Sequence, residues 1–220
     1  MGESEEILAG LAVLISVAVM RNGNEIPEKH KKRLYPAVLE IFSQRDFHQV
    51  DMRTISRNSG VSIATIYQYF PSKEDLLFSI LAERLEELVG LIALHMQGLK
   101  SSKEIFRKVF WTTMDYYDRH AGVAVTMFIT VPTRMWMQQD AYRIGAELMD
   151  RIIGEAIERG DIDPRIDARR FRDMYYMICH RLILSWYYFG MKWKLVDAVE
   201  EDFEILWKLL APVDCSQDAT

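Results

Sequence analysis

The stretch from Asp51 to Lys73, DMRTISRNSGVSIATIYQYFPSK, decides how this chain folds. Asp51 and Ser62 each stand immediately before a short helical segment, where such a side chain can accept a hydrogen bond from a free backbone N–H group. Gly60 lies between the segments, where the chain must leave the first helix with a positive φ angle that glycine adopts at little cost. The stretch therefore predicts two short helices joined by a tight turn, which is a helix-turn-helix.

The second of these helices is predicted from Ile63 to about Tyr69, with Ile66 facing inward. Pro71 ends it, and Ser72 is placed to cap a long helix that follows. In a helix-turn-helix the second helix enters the major groove of DNA, so duplex DNA is the first partner that the sequence indicates.

This segment resembles the TetR family of bacterial transcriptional regulators. The family pattern combines a glycine, a valine, a capping serine, a Thr-x-Tyr, a Tyr-Phe or His-Phe pair and a Ser-Lys-x-x-Leu. Position 63 is often basic in the family but is isoleucine here, which weakens the transfer of a known operator sequence. The resemblance covers Lys31 to Ile80 and is carried by Gly60, Val61, Ser62, Thr65, Tyr67, Tyr69, Phe70, Ser72, Lys73 and Leu76.

The resemblance implies an all-α fold of about nine helices. An N-terminal three-helix helix-turn-helix DNA-binding domain would be joined to a C-terminal helical domain that binds a ligand and dimerises. We expect a partly apolar extension at 1–27, the DNA-binding domain at 28–75, the ligand-binding and dimerisation domain at 76–212, and a polar tail at 213–220.

Net charge supports a DNA partner once it is mapped along the chain. The whole chain of 220 residues carries −5, but positions 29–73 hold eight Lys or Arg against three Asp or Glu, a net charge of +5. The rest of the chain therefore carries −10. The basic module is attracted to the phosphates of DNA, whereas the acidic rest of the chain is repelled by them.

The motifs of enzymes and metal proteins are missing from the sequence. Cys179 and Cys215 are the only cysteines, and their wide separation argues against a disulfide framework and a structural zinc site. The five histidines show no HxxxH spacing, and there is no Gly-rich phosphate loop, GxSxG or HExxH motif. We therefore predict a cytoplasmic protein that is not an enzyme and uses no metal or cofactor.

An almost unbroken apolar run of 14 residues, from Ile7 to Met20, precedes the module. It is shorter than the roughly 20 residues of a membrane span, and the acidic residues before it are unlike a secretion signal. Three interpretations remain open. Translation begins at Met20, or the run forms an extra helix on the body or the dimer partner, or it contacts a membrane surface weakly.

Glycines and prolines separate the remaining chain into long segments with helical spacing, and no strand-like alternation appears. Pro36 lies within the first of them and indicates a start nearer Leu34 or a local irregularity. Asp167 is expected to cap the penultimate helix. Besides the helix-turn-helix, we predict helices at about 28–45, 73–99, 102–119, 121–130, 133–159, 167–190 and 196–210.

The geometry of a helix-turn-helix selects the residues that would touch DNA. The start of the second helix faces base edges, and Ile63, Ala64 and Gln68 are the candidates to face bases. Gln68 is the sharpest of them because glutamine pairs bidentately with adenine. Arg53 can reach a guanine or a phosphate, and the resemblance implies that Thr65, Tyr67, Tyr69 and Lys73 hold the DNA backbone. The alternatives are that Tyr67 fills a gap between helices and that Gln68 is merely solvated. The predicted DNA-binding set is Arg53, Ser62, Ile63, Ala64, Thr65, Tyr67, Gln68, Tyr69 and Lys73.

Aromatic residues and methionines are concentrated in the second half of the chain. Positions 106–193 hold 16 aromatic residues and 8 methionines. Such side chains suit an adaptable apolar cavity, although at helical spacing they also form ordinary core or dimer interface. The resemblance implies a small-molecule pocket, whose predicted lining is Trp111, Tyr116, Met127, Phe128, Trp136 and Tyr175.

The last two predicted helices resemble the pair through which the family dimerises. Their predicted interface residues are Trp186, Phe189, Phe203, Leu206, Trp207 and Leu210. The sequence thus predicts a homodimeric regulator, a repressor released from a palindromic operator by a small apolar or aromatic ligand. A ligand-independent or partner-recruiting regulator, and a helical lipid- or acyl-binding protein with a vestigial head, are the alternatives.

Overall fold

The structure, a computed structural model, describes residues 26–210, and every regular element in that range is helical. The all-α prediction is confirmed for this part of the chain. The apolar run Ile7–Met20 and the polar tail lie outside the described residues. The helices are α1 (Glu28–Gln44), α2 (Met52–Ser59), α3 (Ile63–Tyr69), α4 (Lys73–Met96), α5 (Ser102–Arg119), α6 (Ala121–Val125), α7 (Thr133–Met137), α8 (Asp140–Glu158), α9 (Ala168–Tyr188) and α10 (Val199–Leu210).

The described residues form two compact units. The first contains residues 26–90 together with 119–144, and the second contains 91–118 together with 145–210. The boundary falls within α4, after Gly90. The predicted domain boundary at residues 75/76 follows family resemblance instead and stays a prediction.

The first unit is built around the helix-turn-helix. Its core contains fully buried residues from each of the first four helices, among them Leu34, Ile55, Ile66 and Leu76. The segment after α5 also packs on α1, through α6 and the π-helical turn Thr126–Thr130 that follows it. The DNA-binding helices are therefore stabilised by chain from beyond α5 as well as by one another.

The second unit has an aromatic core. The rings of Phe106 and Phe171 lie 4.9 Å apart, and those of Phe110 and Tyr175 lie 5.7 Å apart at a steep angle. Each such pair contributes about 0.5–1.5 kcal/mol beyond the burial of its apolar area. These contacts join α5 to α9.

Two helix predictions differ from the structure. The single helix predicted at 133–159 is interrupted after Met137 and resumes at Asp140, so the described residues hold ten α-helices rather than nine. The break carries no glycine or proline; Gln139 N–H instead bonds the carbonyl of Trp136 in a tight turn. Pro36 lies inside α1, which begins at Glu28 and continues through it, so the helix does not start near Leu34.

None of the helices within residues 26–210 combines the length and the apolar character needed to cross a membrane. Across the same residues, no group of three or more His, Cys, Asp or Glu side chains could hold a metal ion.

Candidate nucleic-acid interface

Local capping fixes the first helix of the helix-turn-helix. The Asp51 carboxylate accepts a hydrogen bond from Thr54 N–H at 2.7 Å, and this bond holds the pKa of the carboxyl below its usual value. Gly60 ends α2 with a φ angle of +63°. The guanidinium Nη2 of Arg33 donates to the Gly60 carbonyl at 3.0 Å, which ties α1 to the turn. The predicted cap and the predicted glycine conformation are both confirmed.

The second helix is fixed in the same way. Ser62 Oγ accepts a hydrogen bond from Thr65 N–H at 3.1 Å, as the sequence predicted. Ile66 is fully buried and anchors α3 to the core of the first unit. One capped end and one apolar anchor therefore set how α3 presents its other residues.

The opposite face of α3 meets solvent. Ala64, Tyr67 and Gln68 are exposed, and the side chain of Tyr67 is 50% exposed, so it does not fill a gap between helices. Ile63, Thr65 and Tyr69 are half-buried. The structure thus brings the predicted base-facing residues onto one accessible helix, the arrangement that readout of a major groove requires.

Exposed cations flank this helix. Arg53 and Arg57 both lie on α2, one turn apart, and Arg45 precedes the loop to α2. Within residues 26–210 none of the three forms an ion pair with a carboxylate, so their charge is free to meet phosphate. Arg57 was counted in the net charge of the module but was not among the predicted site residues; its i+4 spacing from Arg53 was the available signal.

Lys73 occupies a more constrained position than the sequence suggested. Its ammonium group donates to the backbone carbonyls of Phe47 and Val50, at 2.8 and 2.9 Å, and lies 4.6 Å from the centre of the Phe47 ring. Ser72 caps α4 as predicted, accepting from Asp75 N–H at 3.0 Å while its hydroxyl donates to the Asp75 carboxylate at 2.6 Å. Lys73 therefore stabilises the loop before α2.

The residues predicted to line a ligand pocket fall into both units. Met127, Phe128 and Trp136 belong to the first, where Trp136 stacks on Phe78 at 6.4 Å. Trp111, Tyr116 and Tyr175 belong to the second. Their role as a lining stays a prediction.

A group of polar atoms lies within the aromatic core of the second unit. Tyr175 and Cys179 are buried on α9, and the Tyr175 hydroxyl lies 3.4 Å from Thr113 Oγ1 on α5. Burial raises the pKa of the Cys179 thiol to about 12 and raises that of the Tyr175 hydroxyl well above its usual value. These groups are neutral near pH 7. The Thr113 hydroxyl donates to the Val109 carbonyl at 2.8 Å, so the neutral Tyr175 hydroxyl is the one that can donate to a ligand carbonyl without attracting a charged ligand.

The predicted dimer residues are distributed unevenly. Trp186, Phe203 and Leu206 are buried inside the described chain itself, while Trp207 is half-buried and Phe189 is exposed. The side chain of Leu210 lies outside the described structure. Further large apolar side chains are exposed on α9 and α10, namely Met177, Leu184, Tyr187, Tyr188, Ile205 and Leu209.

Comparison with known proteins identifies the family of this capped, solvent-facing α3. The family model described as "Bacterial regulatory proteins, tetR family" matches residues 36–80, which run from within α1 to within α4. The chain belongs to the TetR family. Like other TetR-family members it is a DNA-binding transcriptional regulator, as the sequence predicted.

Three similar proteins extend the comparison beyond residues 36–80. The fatty acid metabolism regulator protein of Bacillus subtilis is 24% identical over 181 residues, covering 79% of this chain and 92% of that protein. The solved fatty acid degradation regulator FadR of Bacillus halodurans has a TM-score of 0.75 at 20% identity, covering 84% of this chain and 97% of that one. FadR of Bacillus subtilis, solved in complex with stearoyl-CoA, has a TM-score of 0.73 at 21% identity, covering 80% and 97%. These likenesses show that the helical body also has the fold of TetR-family regulators.

Proposed function

We propose that this protein is a homodimeric repressor that binds a palindromic operator and leaves it when a long-chain acyl-CoA binds the helical body. In this proposal residues 28–75 form the DNA-binding domain, and residues 76–212 bind the ligand and dimerise. A protein that acts on chromosomal DNA would work in the cytoplasm. The observation that carries the proposal is the solvent-facing α3 of a TetR-family helix-turn-helix, in a chain whose second unit has an aromatic core that contains hydroxyl groups.

The DNA contacts divide into two groups by their chemistry. Ile63, Ala64 and Gln68 would face base edges, where Gln68 can pair with adenine and Ile63 can touch a thymine methyl group. The hydroxyl and cationic residues Arg53, Ser62, Thr65, Tyr67, Tyr69 and Lys73, with Arg57 added, would hold the phosphate backbone.

The dimer would form through the exposed apolar residues of α9 and α10. Met177, Leu184 and Tyr188 follow one another at seven- and four-residue spacing, so they share one face of α9. Ile205 and Leu209 share one face of α10. An apolar face on each of two contacting helices matches the four-helix dimer that the family resemblance implies, and a two-fold dimer would place two α3 helices in major grooves about 34 Å apart.

The ligand class is supported by the core and by the relatives. Two of the compared proteins are named as regulators of fatty acid metabolism or degradation, and the third, FadR of Bacillus subtilis, was solved with stearoyl-CoA. In this chain the core of the second unit offers apolar rings for an acyl chain and the neutral Tyr175 hydroxyl, beside Thr113, for a carbonyl. A ligand in this core changes DNA affinity only if it binds one conformation of the protein more tightly than another. Helix α4 contributes residues to both units, so in this proposal it transmits the conformational change.

Operator release by defined ligands tests this function. Fluorescence anisotropy of the labelled operator would be measured with palmitoyl-CoA, palmitate and free coenzyme A. We expect palmitoyl-CoA to weaken operator binding by about 5–150-fold, the usual range of such couplings, and the other two compounds to act weakly. Binding of palmitoyl-CoA with no change in operator affinity would instead favour a ligand-independent regulator.

A further inference from the structure

A cleft of about 340 Å³ opens on the second unit, at the size where small-molecule sites begin. It is formed by the end of α4, residues 104–111 of α5 and the start of α10. The side chains that decide its chemistry are His95, Glu104, Arg107, Lys108, Trp111 and Glu200. Only Trp111 belongs to the lining predicted for the small-molecule pocket.

The aromatic side of the cleft is held in place. The rings of His95 and Trp111 lie 6.2 Å apart at an interplanar angle of 62°. His95 Nδ1 shares a hydrogen bond of 2.9 Å with the buried Thr112 hydroxyl, which fixes the imidazole. A fixed imidazole beside a half-exposed indole offers flat surfaces on which a purine base can stack.

Two cations, Arg107 and Lys108, line one side of the cleft, which also contains the carboxylates Glu104 and Glu200. Lys108 Nζ lies 4.5 Å from the centre of the Trp111 ring and pairs with no carboxylate in the described part of the chain. Arg107 reaches Glu200 at 3.4 Å, and both side chains are largely exposed, so this ion pair is weak and can exchange for phosphate. Glu104 and Glu200 both oppose an anion, but Lys108 stands beside the indole where a stacked nucleotide would carry its phosphates.

We propose that this cleft binds the phosphorylated adenosine of coenzyme A, an inference that rests on the acyl-CoA function proposed above. Helix α5 supports the placement because it carries both halves of the site. Lys108 and Trp111 lie in the middle of the helix, and the buried Thr113, which contacts Tyr175, follows two residues later. At 1.5 Å per residue, Lys108 and Thr113 are separated by about 7.5 Å along the helix, a distance that the flexible arm joining the nucleotide to the thioester can bridge.

Calorimetry with the full chain tests the cleft directly. The probe is adenosine 3′,5′-bisphosphate, which has the nucleotide of coenzyme A but no acyl chain. We expect binding that Lys108→Glu weakens at least tenfold and that Arg151→Glu, the same charge change at an exposed site on α8, leaves unchanged. The neutral variant Lys108→Gln, with Tm compared by circular dichroism, covers the case in which the charge reversal disturbs folding.

The outcomes separate the cleft from the proposed function. Loss of bisphosphate binding in both Lys108 variants supports the cleft as a nucleotide site. If palmitoyl-CoA nevertheless fails to release the operator, the acyl-CoA function is wrong and the ligand of the cleft is a free nucleotide. Equal bisphosphate binding by wild type and Lys108→Glu, with operator release by palmitoyl-CoA intact in both, overturns the cleft while the function stands. Absence of bisphosphate binding, or equal binding by Lys108→Gln and wild type, also overturns it.

Discussion

Lys73, at the first position of α4, donates a hydrogen bond from its ammonium group to the backbone carbonyl of Val50 at 2.9 Å. A second bond to Phe47, at 2.8 Å, closes the same loop. The loop leads directly into Asp51, the cap of α2. One cation thus ties the start of α4 to the start of the helix-turn-helix, and its charge stays beside the proposed DNA surface.

Replacing Lys73 by alanine is expected to affect both roles. The free energy of unfolding should fall by about 1–3 kcal/mol, because two carbonyls lose a charged donor. Operator binding should weaken, and the slope of log K against log salt should fall by about one if the ammonium also meets a phosphate. Thermal melts and binding titrations at several salt concentrations measure both effects, with the exposed Lys100→Ala as control. An unchanged salt slope would restrict Lys73 to its structural role.

Gly60→Ala should destabilise the turn of the helix-turn-helix. Gly60 has a φ angle of +63°, and a Cβ atom there would lie 2.2 Å from Arg33 Nη2. The left-handed backbone costs a non-glycine residue about 1–2 kcal/mol, and displacing the guanidinium removes its bond to the Gly60 carbonyl.

Gly98→Ala is the matched control for this change. Gly98 has a φ angle of +79°, but a Cβ atom there meets nothing within 4 Å. Both variants should therefore lose stability in chemical denaturation, with Gly60→Ala losing more and alone losing operator affinity. Equal effects of the two variants on operator affinity would contradict a role for the Arg33 contact.

The parts that the sequence predicted are local in origin. Asp51, Ser62, Ser72 and Asp167 were each predicted to cap a helix, and each side chain accepts a backbone N–H bond in the structure. A cap and its donor lie two or three residues apart, so the sequence alone contains both partners. The path of the chain through the helix-turn-helix follows from these caps and from Gly60.

The parts that the sequence did not predict depend on distant residues. Trp186 is buried and donates its indole N–H to the carbonyl of Trp193, whereas Tyr188, two positions further on, is 79% exposed. Both residues are large and aromatic, and composition cannot tell which one faces the core. Lys73 likewise bonds carbonyls more than 20 positions away, which no local pattern records.

The carboxyl of Asp163 should give a pH-dependent contribution to stability. Hydrogen bonds from the Arg165 side chain, and then from its backbone N–H, hold the pKa of Asp163 at about 2, below the ordinary value of 3.8. A lowered pKa stabilises the fold above the unfolded value, and this stabilisation is lost as the pH falls from 3.8 towards 2. Asp163→Asn should therefore lower the Tm at pH 7, and the difference from wild type should shrink below about pH 4.

Melts of wild type and Asp163→Asn between pH 7 and pH 3 measure this difference, with Asp161→Asn in the same turn as control. A difference in Tm that stays constant over that range would contradict the assignment.

Leu184→Glu should dissociate the proposed dimer. Leu184 is exposed on the apolar face of α9, and a charge there would have to be buried when two copies associate. Leu94→Glu places the same charge at an exposed leucine of α4 and should leave the dimer intact. Sedimentation velocity reports the masses. A dimer that survives Leu184→Glu with unchanged stability would move the interface elsewhere.

The central claim is that the exposed face of α3 reads a DNA sequence. Selecting bound fragments from the source genome at physiological salt, and footprinting the winner, tests it most directly. We predict a short palindrome whose half-sites lie about one helical turn, or a multiple of one turn, apart. Weak binding without sequence preference, abolished by added salt, would show phosphate contact alone and contradict the claim.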